Sequence, residues 1–72
     1  MHYKIIGGLT MVYNIVIDTQ KEKYTCIDFF RKNNVKILNI AGYFEKYIIH
    51  IEYNDNIAIL DNQLQEVLKN VY

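Results

Sequence analysis

Tyr47-Ile48-Ile49-His50-Ile51-Glu52-Tyr53 is the stretch whose reading decides the fold of this chain. Tyr47, Ile49, Ile51 and Tyr53 alternate with Ile48, His50 and Glu52, and a period of two puts the first set on one side of a β-strand and the second on the other. The reading extends outward in both directions. Upstream, Glu45-Lys46 predicts a turn and Val35 to Phe44 a strand, so the two runs pair as a hairpin. Downstream, Asn54-Asp55-Asn56 breaks the alternation with residues that cap helices well. Ile57, Leu60, Leu64, Val67, Leu68 and Val71 then follow helical spacing and predict a helix from about Asn56 to about Asn70. A short strand over Ile57 to Leu60, with Asp61 as the cap, is the alternative.

Further upstream, Asn33-Asn34 predicts a helix stop, because asparagine tolerates the left-handed conformation at a helix C-terminus. The helix that it ends lies within Gln20 to Asn33. Thr19 and Glu22 have capping-box spacing, and Thr25 with Asp28 is a weaker instance. Tyr24, Ile27 and Phe30, flanked by Cys26 and Phe29, form the predicted buried stripe. Leu9 to Ile17 alternates again, with Leu9, Met11, Tyr13, Ile15 and Ile17 on one face and Thr10, Val12, Asn14 and Val16 on the other. Tyr3 to Ile6 is also strand-like. Gly7-Gly8 accepts positive φ at both positions and predicts a hairpin, with one long strand bent at a glycine bulge as the alternative. The order ββαββα, with both helices one-sided, predicts an α+β domain, a four-stranded antiparallel sheet with two helices on one face.

Composition narrows the functional classes. Seventy-two residues make a single domain, 1–72, and domains of this size are marginal without a disulfide, a metal or a partner. Cys26 is the only cysteine, which rules out an internal disulfide and a cysteine-based zinc site. Oligomerisation is the remaining support, and a chain that is 51% apolar and 14% aromatic suits it. Eight basic residues balance eight acidic ones, so the charge that drives non-specific nucleic-acid binding is missing. No apolar run has the length of a membrane span, and the N-terminus lacks a signal-peptide pattern. With an unpaired cysteine, this gives the expectation of a cytoplasmic protein with neither nucleic acid nor membrane as partner. Abundant isoleucine, asparagine, lysine and tyrosine have AT-rich codons and suggest a low-GC genome, viral ones included.

The candidate chemistry is sparse. Cys26 would be a nucleophile if a helix N-terminus favoured its thiolate, but its place on the apolar stripe reads as a small buried hydrophobe. His50 and Glu52 share a strand face and could form a proton-transfer pair or half a metal site. The plainer reading is a polar patch on the open side of the sheet. Cys26 and His50 belong to opposite sides and cannot form a dyad. Asn54-Asp55-Asn56 lacks the remaining ligands and the glycine of a calcium loop, and Gly7-Gly8 lacks the rest of any phosphate-binding fingerprint. Tyr43, Phe44, Tyr47 and Tyr53 have no basic groove beside them, so packing explains them better than base stacking. No catalytic residue, metal ligand or cofactor is expected.

From Val12 to Tyr72 the order strand–helix–strand–strand–helix resembles a ferredoxin-like fold and, within it, the ACT family of regulatory ligand-binding domains. Asn33-Asn34-Val35-Lys36-Ile37-Leu38-Asn39-Ile40 carries the likeness to that family's passage from helix one into its second strand. The resemblance implies an amino-acid sensor. Two departures stand against it. Asp18-Thr19-Gln20-Lys21-Glu22 has neither the proline nor the glycine of the family's first turn, and the family's last strand is missing. A hairpin through Gly7-Gly8 would place Tyr3 to Ile6 in the slot of that last strand, giving a permuted ferredoxin-like sheet.

Apolar surface is the strongest functional signal. With Leu9, Met11, Tyr13, Ile15, Ile17, Ile49 and Ile51 under the helices, the other face still carries Val12, Val16 and Ile48. In the strand before Glu45, Val35 and Ile37 lie on one side and Leu38, Ile40 and Phe44 on the other. A sheet apolar on both faces needs a partner beyond its own helices. The predicted interface is therefore Val12, Val16, Leu38, Ile40, Phe44 and Ile48. The expected function is a small non-catalytic protein-interaction or regulatory module acting as a homodimer. An ACT-like sensor of an amino acid and a virus-encoded inhibitor of a host defence system are the alternatives.

Overall fold

The computed structural model describes residues 3–7, 11–44 and 46–70, with side chains from residue 5 onward. Its elements are β1 (Tyr3–Gly7), β2 (Val12–Ile17), α1 (Gln20–Lys32), β3 (Lys36–Tyr43), β4 (Lys46–Glu52) and α2 (Ile57–Lys69). The protein is α+β, with four antiparallel strands in one open sheet and two helices. The strands run in the order β1-β2-β4-β3, so β4 lies between β2 and β3 and the edges are β1 and β3. Tyr3 pairs with Ile17 and Gly7 with Tyr13 across the first hairpin. The link is longer than two glycines, because Gly7 is itself a strand residue. Gly8, Leu9 and Thr10 lie outside the described residues. A Cβ on Gly7 would stand 2.9 Å from the Tyr13 ring, so the ring packs against Gly7 more closely than a side chain there would allow without a shift.

Local chemistry explains the helix ends. Thr19 is the N-cap of α1: its Oγ1 accepts from the Glu22 amide at 3.2 Å and donates to Glu22 Oε1 at 2.9 Å. At the other end Asn34 adopts φ 57°. The Asn34 amide donates to Arg31 O and the Val35 amide to Phe30 O, closing the helix in a Schellman arrangement. Val35 and Phe30, the residues that this motif brings together, are both in the core. Asn56 caps α2, its Oδ1 accepting from the Ala58 amide at 3.0 Å. The α2 helix begins at Ile57, so the alternative of a short strand there is not realised.

The core is one cluster. Ile15 and Ile17 of β2, Ile49 and Ile51 of β4, Cys26, Ile27, Phe29 and Phe30 of α1, Val35, and Leu60, Leu64 and Leu68 of α2 are all buried in it. The helices also pack against each other. The stripe of α1 differs from the expected one. Glu22, Cys26, Ile27, Phe29 and Phe30 are buried, whereas Tyr24 is 60% exposed. Residues 22, 26, 29 and 30 follow one helical face, and Tyr24 lies about 200° round the helix from Cys26. Its ring instead meets the Lys23 ammonium at 4.6 Å.

Two departures in the β3–β4 hairpin shape its surface. The first is a register shift between Ile37 and Asn39: Ile37 pairs with Ile51, but Asn39 pairs with His50 and Ile40 with Ile49. Leu38 is the extra residue of a bulge, and every later residue of β3 changes side relative to plain alternation. The second is the turn. Tyr43 pairs with Lys46, so Lys46 is already a strand residue and not part of the turn expected at Glu45-Lys46; Glu45 itself lies outside the described residues. Phe44 occupies the turn at φ 43°, a region that bulky residues avoid.

Candidate functional site: the open face of the sheet

Cross-strand partners share a side of a sheet, so the register defines the face opposite the helices row by row. Val16, Ile48 and Ala41 form one row across β2, β4 and β3. Asn14, His50 and Asn39 form the next, with Ile6 of β1 beside Asn14. Val12, Glu52 and Lys36 form the third. Among the described residues nothing covers these rows. Val12, Val16 and Ile48 are half-buried by their neighbours on the sheet, and Ile6 is exposed.

The structure brings part of the expected interface together. Val12, Val16 and Ile48 share the open face. Ile40 does not join them. The bulge turns it to the helix side, opposite the fully buried Ile49, although it remains 40% exposed at the edge. Leu38 is the bulged residue of edge strand β3 and is also exposed. Phe44 belongs to neither side; it projects from the hairpin tip, wholly exposed. Sequence reasoning missed Ile6 and Ala41, whose membership follows from pairings that only the register gives. Ala41 stands opposite Ile48 only because of the bulge, and plain alternation would have put Ile40 there.

His50 and Glu52 do share the open face, flanked by Asn14 and Asn39 and by Val12 and Lys36 respectively. Asn14 Oδ1, in the His50 row, is buried without a hydrogen-bond partner. Cys26 lies in the core on the other side of the sheet. Burial, with a smaller push from Glu22, raises its thiol from the ordinary 9.0 to about 12. Such a thiol stays protonated and is a poor nucleophile. Among the described residues no three His, Cys, Asp or Glu side chains gather where they could hold a metal ion. No described helix is long and apolar enough to cross a membrane.

One polar hollow lies beside the open face. It has a volume of about 460 Å³ and is lined by Asn34, Lys36, Glu52, Tyr53, Asn54 and Asp55. Here the Asn54-Asp55-Asn56 break acts as a turn, Asp55 Oδ1 accepting from the Asn56 amide at 2.8 Å. No family model, no curated protein and no solved structure matches this chain.

Proposed function

We propose that this protein is a small non-catalytic interaction module that works as a homodimer, joined through the open face of its sheet. The observation that carries this reading is the row Val16–Ile48–Ala41, with Val12 and Ile6 near it, on a face that no helix covers. The molecule measures 29 by 24 Å along its longer extents. Four strands about 4.8 Å apart and of five to eight residues give a face on the order of 400 Å², so a dimer formed there is at the small end of the interface range. The equal numbers of acidic and basic residues leave no net charge to oppose self-association. We read the strand order as a ferredoxin-like sheet in permuted form, with β1 taking the slot of a C-terminal last strand. Sedimentation equilibrium tests the dimer. The wild type should sediment at twice its 8.6 kDa and Ile48→Glu at 8.6 kDa. A wild type that stays at 8.6 kDa at high concentration would move this face to a different partner.

The polar hollow favours a second reading, an ACT-like sensor of an amino acid. Lys36 offers an ammonium for a carboxylate, and Glu52 and Asp55 offer carboxylates for an amino group, around a space of about 460 Å³. Calorimetric titration with the free amino acids should then give saturable heat that Lys36→Ala and Glu52→Ala abolish. Titrations without heat for all of them would remove this reading.

A further inference from the structure

We infer that the homodimer is pH-gated through His50, associating when the imidazole is neutral and separating when it is protonated. This rests on the open-face dimer proposed above. His50 belongs to β4, an interior strand, and its row is next to Val16–Ile48–Ala41. A second copy that covers the apolar row must also cover His50 and take it out of water. Imidazole is the side chain that changes charge between about pH 5 and 8, and it is the only one of that kind among the described rows of this face.

The neighbours decide the sign. From β2, His50 faces Asn14, with Val16 and Val12 on either side; from β3 it faces Asn39, with Ala41 beyond. None of these carries charge. On its own strand Ile48 precedes it and Glu52 follows, and Glu52 is matched in register by Lys36. The helices are on the other side. A neutral imidazole brings one donor and one acceptor to the side-chain amides beside it. An imidazolium brings two donors and no acceptor. Asn14 Oδ1, buried and unpartnered, can take one of them. Asn39, facing His50 from β3, can take the other, but neither amide carries a charge to balance the cation, and a covered face removes the water that screens it in the open monomer. Burying the cation without a counter-charge is costly, and symmetry doubles that cost because each copy contributes its own His50.

The test is the dimer dissociation constant from pH 8 to pH 5.5, with the fold of the monomer followed in parallel by circular dichroism. The wild type should bind at least tenfold more weakly at the acid end, since two protons taken up per dissociation make the dependence steep. His50→Gln keeps a neutral polar side chain and should give a dimer whose affinity is flat over this range. His50→Lys should be monomeric throughout. A wild-type dimer with the same affinity at both ends overturns the gate and leaves the dimer standing. A His50→Gln dimer that still weakens in acid assigns the effect to another group and also overturns it. A wild-type chain that is monomeric at every pH removes both the gate and the dimer.

Discussion

The two faces of the sheet draw on the same strands and end in different states. On the helix side Ile15, Ile17, Ile49 and Ile51 are fully buried beneath Leu60, Leu64 and Leu68. On the other side Val12, Val16 and Ile48, one residue out of phase, are only half-buried, and Asn14 and His50 stand between them. The helix side is closed by residues of this chain alone. The open side has aliphatic side chains on interior strands with nothing above them among the described residues. The difference separates the face that the two helices close from the face that the described residues leave open.

Truncating one residue on each side separates the two faces. Leu64→Ala removes a fully buried side chain and should cost about 3 kcal/mol in urea unfolding, as large-to-small core changes do. Ile48→Ala, under conditions where the chain is monomeric, should cost less than about 1.5 kcal/mol, because its site is already half open to water. Equal losses would mean that the open face is part of the core.

A smaller effect comes from the thiol under the helices. Cys26 titrates near 12 when folded and 9.0 ordinarily. Its contribution to stability is therefore whole below pH 9 and is lost as pH rises from 9.0 toward about 12. Between pH 8 and pH 10 the wild type should lose about 1.4 kcal/mol more than Cys26→Ala does, with most of the loss above pH 9, measured by urea unfolding at pH 8, 9 and 10. Parallel pH profiles for the two proteins would contradict the buried, ionisation-resistant thiol. A thiol reagent should likewise label Cys26 slowly in buffer and rapidly in denaturant.

Among the described residues Glu22 is the one polar side chain that the helix side buries completely, and its Oε2 has no hydrogen-bond partner. Glu22→Met keeps the length of the side chain and removes the unpaired oxygen. It should raise stability by about 1 kcal/mol, the usual sign when an apolar group of similar volume replaces a buried charge. A loss instead would mean that the bond from Thr19 Oγ1 to Oε1 outweighs the desolvation of the carboxylate. The smallest effect belongs to the hairpin tip. Phe44→Asn, at φ 43°, should gain about 0.5 kcal/mol by placing a left-handed-tolerant residue in a two-residue turn. No gain would mean that the turn does not hold Phe44 in this conformation in solution.

Much of the helix side was legible from the residues. The alternation of Tyr47 to Tyr53, the capping pair Thr19 and Glu22, the stop at Asn33-Asn34 and the spacing of Leu60, Leu64 and Leu68 each correspond to an element or boundary of the fold. Their signals are local periods and local hydrogen bonds. The open side was harder to read because its make-up depends on register. The bulge at Leu38 has no signature, since Ile37 to Asn39 also fits an unbroken strand, and without it Ile40 is counted on the wrong side. Lys46 was drawn into the turn because Phe44, which occupies the turn at φ 43°, is not the glycine or asparagine that marks such turns. Tyr24 was drawn into the α1 stripe in place of Glu22 because a carboxylate is rarely buried.

The most direct test of the central claim, that the open face is where two copies meet, is a methyl and amide NMR dilution series from millimolar to low micromolar protein at pH 8. The account predicts concentration-dependent shifts at Ile6, Val12, Val16, Ile48 and His50, with Ile49, Ile51 and Leu64 unchanged on the helix side. Shifts confined to the helices or to the hairpin tip, or none across the whole range, would contradict it.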